Sequence, residues 1–202
     1  MFTHDAEATA FLNLQQKIFN ALKKLKNPSF VYESKGTSFH CSGGDKSVIK
    51  AYFSPFGQKC IFEIETLDEL TQAVLSISKA VLLMHSAGIV HNDIRWDNVI
   101  VHNNDYILID FDDAYILSNA KEFCPALSHL RPNEHAERTF IPHRFEVDIW
   151  AIGRLIVTAL SNYNFGFLEQ QQQLRDLGLR VMNSYTDFKL TSVITELERF
   201  LH

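Results

Sequence analysis

At 202 residues, 46% hydrophobic and with a net charge of −5, the chain can bury a real core and reads as soluble and globular. The mild acidity argues against nucleic acid as the main partner, and no apolar run reaches the length of a membrane span. Cys41, Cys60 and Cys124 are too few and too scattered for a metal pattern or a disulfide framework, which points to a reducing, cytoplasmic compartment.

The opening MFTHDAEATA lacks the basic and apolar regions of a signal peptide. Residues 5–26 then carry Phe11, Leu14, Ile18, Phe19, Leu22 and Leu25 at helical spacing, which predicts an amphipathic helix. Lys23, Lys24 and Lys26 suit its C-terminal end, and Pro28 stops it. Strands are expected at 29–34, 37–41, 47–53 and 59–64. Thr66 and Glu69 form a capping-box signature. Behind it, Leu67, Leu70, Val74, Ile77, Val81 and Met84 recur at helical spacing, which predicts a buried helix of about six turns with Gly88 as its C-cap.

The next stretch carries chemistry: His91-Asn92-Asp93-Ile94-Arg95-Trp96-Asp97-Asn98, then Asp110-Phe111-Asp112. Val99-Ile100-Val101 and Tyr106-Ile107-Leu108-Ile109 are short β-rich runs, and Asn103-Asn104-Asp105 is a turn cluster. A hairpin of that length returns the chain to its starting edge, so Asp110 should emerge beside Asn98 and both should reach one cation. Mg²⁺ takes hard oxygen ligands from one or two side chains plus phosphates and water. Asp93 can orient and deprotonate a hydroxyl.

The pattern H-x-D-x-x-x-x-N, a hairpin, then D-F resembles the catalytic loop and metal-binding motif of eukaryotic-type protein kinases. The helix from Thr66 to Gly88 resembles the one that feeds that loop. Asp148-Ile149-Trp150-Ala151-Ile152-Gly153 resembles the D-x-W-x-x-G of the large buried kinase helix. There the acid bonds the backbone of the loop, so Asp148 is implied to be structural. His135-Ala136-Glu137 stands where kinases carry Ala-Pro-Glu, without the proline; Glu137 is implied to pair with Arg175 or Arg180. Beyond residue 160, Asn162, Tyr163, Asn164 and Gly166 read as a loop, and 167–182 and 189–202 as two closing helices.

The resemblance spans residues 60–160. It implies an α+β, protein-kinase-like fold with a reduced N-lobe of short antiparallel strands plus one helix (1–65) and a mainly helical C-lobe (66–202). It also implies use of ATP and Mg²⁺, with Asn98 and Asp110 as metal ligands. Asp93 would be the base toward a protein hydroxyl, and Arg95 would offset charge on the transferring phosphoryl.

Two alignments of the front half stay open. In one, helix 5–26 resembles the regulatory helix of the N-lobe, with Glu7 near the position of its ion-pairing Glu. In the other, Ser47-Val48-Ile49-Lys50 resembles the V-A-I-K strand, Lys50 would bind the α/β-phosphates, and Gly36-Thr37-Ser38 would be a reduced phosphate loop. Asn92 replaces the arginine that clamps a phosphorylated activation loop, and Asp112 replaces the glycine of Asp-Phe-Gly. Few acceptors follow: Tyr115, Ser118 and Ser128. Constitutive activity, or a switch by a regulatory protein partner, is therefore expected. Three functions remain: a minimal protein kinase, a pseudokinase used as a binding module, and a small-molecule kinase of the aminoglycoside or choline type. The acidic string Ile109 to Ala114 is similar to that of the last class.

Overall fold

The computed structural model describes residues 4–25, 33–41, 47–54, 57–60, 63–117, 144–163, 165–166 and 168–202; side chains are described from Asn13 in the first segment and not in the next two. The chain runs α1 (His4–Leu25), β1 (Glu33–Cys41), β2 (Ser47–Ser54), β3 (Gln58–Lys59), α2 (Leu67–Ser86), β4 (Ile89–Val90), β5 (Val99–His102), β6 (Asp105–Leu108), β7 (Tyr115–Ile116), α3 (Glu146–Asn162), α4 (Leu168–Asn183) and α5 (Leu190–Phe200). This is an α+β fold of kinase type with a reduced N-lobe. Among the described residues no helix is long and apolar enough to cross a membrane.

α2 is the central post. Thr66 accepts from the Glu69 N–H at 3.1 Å, and the Glu69 carboxylate takes the N–H groups of Glu65 and Thr66, both at 2.9 Å. At the other end Gly88 sits at φ 75° and lets the chain turn sharply into β4. Leu70, Val74, Ile77, Val81 and Met84 are fully buried where α2 packs on α3, α5 and β6. α3 and α4 cross closely at Gly153 and Gly178. A Cβ on Gly153 would lie 2.7 Å from the Gly178 carbonyl oxygen, so the helix pair depends on the bare backbone at the crossing.

The strands are short and antiparallel. β1 pairs with β2, β3 with β5, β5 with β6, and β4 with β7. β5 and β6 are joined by Asn103 and Asn104, both at positive φ, the two-residue turn whose twist matches the flanking strands.

The front half differs in detail from the expected strands. Residues 33–41 form one strand with an irregularity between Ser34 and Gly36, while 29–32 lie outside the described residues. Of the strand expected at 59–64, Lys59 alone is in a strand among the described residues, where Gln58–Lys59 pairs with β5; 61–62 lie outside the described residues. After it, Glu63 donates to the Cys60 carbonyl in a turn, and the Glu69 carboxylate draws Glu65 and Thr66 into the start of α2.

Candidate active site

The loop between β4 and β5 is held by one buried acid. Asp148, in the first turn of α3, is 0% exposed. It accepts the backbone N–H of His91 at 2.9 Å and of Asn92 at 2.8 Å, and His85 Nε2 at 2.9 Å. Asn92 adopts φ 70°, a left-handed turn that Asn tolerates better than most residues, and the chain reverses there. His91 is also 0% exposed. Its Nδ1 accepts the Asp93 N–H at 3.3 Å, and its Nε2 faces the Ile109 carbonyl at 3.2 Å, which assigns the proton to Nε2. Burial holds the imidazole below its ordinary pKa against the opposing pull of Asp148 and Asp93, so neutral His91 satisfies both contacts.

Asp93 is 6% exposed and is oriented from two sides. Asn98 Nδ2 donates to its carboxylate at 2.8 Å and to its backbone carbonyl at 2.9 Å. Arg95 Nε lies 3.4 Å from the same carboxylate, within ion-pair range, and makes no hydrogen bond. With both amide protons turned to Asp93, the Asn98 oxygen faces the other way. The Ile109 N–H bonds the Asn98 carbonyl at 2.8 Å, so the hairpin does bring Asp110 alongside Asn98. Asp110 is exposed and sits at φ 64°. The two residues offer an amide oxygen and a carboxylate, the donor types that a hard divalent cation takes beside phosphate and water. Among the described residues no three His, Cys, Asp or Glu side chains converge into a protein-only metal cage.

Phe111 is the hub between this pair and α1. Its ring lies 4.8 Å from His91 and 5.9 Å, edge-on, from Phe19. Its carbonyl accepts the Ala114 N–H at 3.1 Å and Gln15 Nε2 at 2.7 Å. Gln15 is 9% exposed, so α1 is tied to the metal motif by a buried neutral amide. Asp112 keeps a negative φ, since the left-handed residue is Asp110, and an aspartate there carries no backbone strain. Burial, then the charges of Asp110 and Asp113, push its carboxyl above its usual pKa.

Asp93, Arg95, Asn98 and Asp110 thus come together. Lys50 lies on β2 opposite Ser38, and its side chain, like that of Glu7, is outside the described residues. From the described part of α1, Gln15 and Phe19 meet Phe111 of the candidate metal motif. Glu137, Ser118 and Ser128 also lie outside the described residues. Arg180 pairs with Glu196, and Arg175 donates to the Leu160 carbonyl at 2.6 Å. Tyr115 is corrected as a phosphoacceptor: in β7 it pairs with Val90 of β4, and it is 1% exposed. Sequence reasoning missed Gln15, His85 and Trp96. Gln15 alone left a trace, as a polar residue beside the apolar stripe of α1.

The protein kinase domain family matches residues 41–198. The chain belongs to the protein kinase family. It is 31% identical over 156 residues to Crinkler effector protein 8 of Phytophthora infestans, covering 71% of this chain and 25% of that one. It is 26% identical over 183 residues to Serine/threonine-protein kinase RAD53 of Saccharomyces cerevisiae, covering 78% and 21%. To Serine/threonine-protein kinase PLK4 of Nematostella vectensis it is 34% identical over 97 residues, covering 46% and 10%. The chain therefore spans a quarter or less of the length of these relatives.

Proposed function

We propose that this kinase-family chain transfers the γ-phosphoryl of Mg²⁺–ATP to a serine or threonine hydroxyl of a protein in the cytoplasm. The observation that carries this is the orientation of Asp93, held by Asn98 from behind and faced by Arg95. Asp93 would take the hydroxyl proton and aim the oxygen, and Arg95 would balance charge on the transferring group. Asn98 and Asp110 would hold Mg²⁺, which supplies neutralisation of the phosphate oxygens. The lobes would be residues 1–65 and 66–202, with the nucleotide between them. Relatives named as serine/threonine kinases support the choice of acceptor.

One observation favours a second reading, a pseudokinase that binds a partner protein without turnover. Burial and then the charges of Asp110 and Asp113 raise the pKa of Asp112, and the negative charge of these three acids opposes a triphosphate. Thermal shift and transfer from γ-labelled ATP separate the two. A kinase gives a Mg²⁺–ATP-dependent rise in Tm, lost in Asp110→Ala, and transfer to protein that is lost in Asp93→Asn. A pseudokinase gives no transfer with either. Transfer to amino alcohols or sugars alone would assign the chain to the small-molecule kinases. Lys50→Ala strongly weakens the nucleotide shift if Lys50 meets the α/β-phosphates, and leaves it intact if Lys50 is a solvated strand residue.

A further inference from the structure

The loop that carries Asp93 and Arg95 lies along α3 and is tied to it at two places. Its front is tied by Asp148, through the N–H groups of His91 and Asn92. Its tail is tied by Trp96, whose indole Nε1 donates to the Leu155 carbonyl at 2.9 Å. Residues 148 and 155 are about two helical turns apart, so both anchors stand on the same face of α3. Trp96 is 6% exposed and opens the single 3₁₀ turn Trp96–Asn98, in which Asn98 N–H bonds the Arg95 carbonyl at 2.9 Å. The neighbouring Asp97 makes an ion pair with Lys59 at 3.0 Å, but both side chains are more than half exposed, and such a pair contributes little. Among the described residues the indole is the buried hydrogen bond that ties the loop's tail to α3.

We infer that Trp96 is a positioning residue: its N–H straps the tail of the loop to α3 and so sets where Asn98 and Arg95 stand. The inference rests on the proposed metal role of Asn98. The strap can be cut cleanly. The Leu155 carbonyl lies inside α3 and keeps its helical N–H partner, so Trp96→Phe removes one hydrogen bond without orphaning a buried group and keeps an aromatic ring in the pocket.

The experiment compares wild type, Trp96→Phe and a control core variant, Val193→Ala in α5, by amide hydrogen exchange and by Mg²⁺–ADP titration. A neutral hydrogen bond is worth about five- to tenfold in an equilibrium. Trp96→Phe should therefore speed exchange of the Asn98 and Val99 amides by about that factor, with the His91 and Asn92 amides unchanged. It should weaken Mg²⁺–ADP binding by a similar factor and leave Mg²⁺-free ADP binding unaltered. Val193→Ala should lower Tm without either local change. Exchange that is unaltered, or that rises evenly along the loop, overturns the strap. So does local exchange with unaltered Mg²⁺–ADP affinity. If the wild type shows no Mg²⁺-dependent ADP binding, the proposed function fails instead, and the exchange pattern by itself decides whether Trp96 straps the loop.

Discussion

The two halves of the candidate site are built differently. The half around Asp93 is buried and satisfied: Asp148 at 0% exposure receives three hydrogen bonds, His91 uses both ring nitrogens, and Asn98 spends both amide protons on Asp93. The half around Asp110 is exposed, crowded with like charge, and tied to α1 through Gln15 and Phe19. The first half belongs to the same packed unit as α2 and α3. The second depends on how a helix nearly a hundred residues earlier in the chain docks. In this fold the geometry of the proposed base is a property of the core, and the geometry of the proposed metal motif is a property of a contact.

Breaking the buried half should cost most. Asp148→Ala strands two backbone N–H groups and His85 together, and a loss of about 3–5 kcal/mol is expected from urea denaturation. A loss below about 1 kcal/mol would mean that the loop is not held from α3. The same half predicts an acid sensitivity. The pKa of His91 is lowered in the fold, so the unfolded chain takes up a proton that the folded chain refuses. Its stabilising share is present above pH 6.5, the ordinary histidine value, and is lost as pH falls below it. The slope from this one group approaches about 1.4 kcal/mol per pH unit. Denaturation midpoints between pH 7 and pH 5 should fall less steeply in His91→Phe than in wild type.

The exposed half should respond more weakly in stability and more in ligand response. Gln15→Met removes a donor while the Phe111 carbonyl keeps the Ala114 N–H, so about 1 kcal/mol of stability is expected to go. The Mg²⁺–ATP thermal shift should shrink beyond what that loss explains, and an undiminished shift would detach α1 from the metal motif. The smallest effect is expected at Asp112. Its pKa is raised in the fold, so its charged form weakens the fold above the carboxylate range, and the penalty fades as pH falls through the raised value. Asp112→Asn should therefore gain stability at pH 7, by no more than about 0.5 kcal/mol, with the gain vanishing in acid. A destabilised variant would mean that Asp112 has a cationic partner.

Much of the core was legible because it is written in local rules. The capping box at Thr66, the apolar spacing of α2 and the Asn-Asn turn each act within a few residues, and each appears where expected. The D-x-W-x-x-G of α3 acts at long range, and Asp148 bonds the loop backbone as the resemblance implied. Glu63 turns back on the Cys60 carbonyl where a strand was expected, a local turn that the apolar pattern does not mark. The burial of Tyr115 has no local sign, because a two-residue strand pairing across 25 positions leaves none.

Local pattern carries the family motif and names the four residues of the candidate site, since a loop, a two-residue turn and a hairpin of fixed length leave Asp110 little freedom to end elsewhere. Packing added ties that no motif carries: Gln15 on Phe111, Trp96 on Leu155, and His85 on the Asp148 that already holds the loop. Those ties link residues 59 to 96 positions apart. A glutamine, a tryptophan or a histidine has no sequence period that reveals such a partner, because the contact exists only once separate helices have packed.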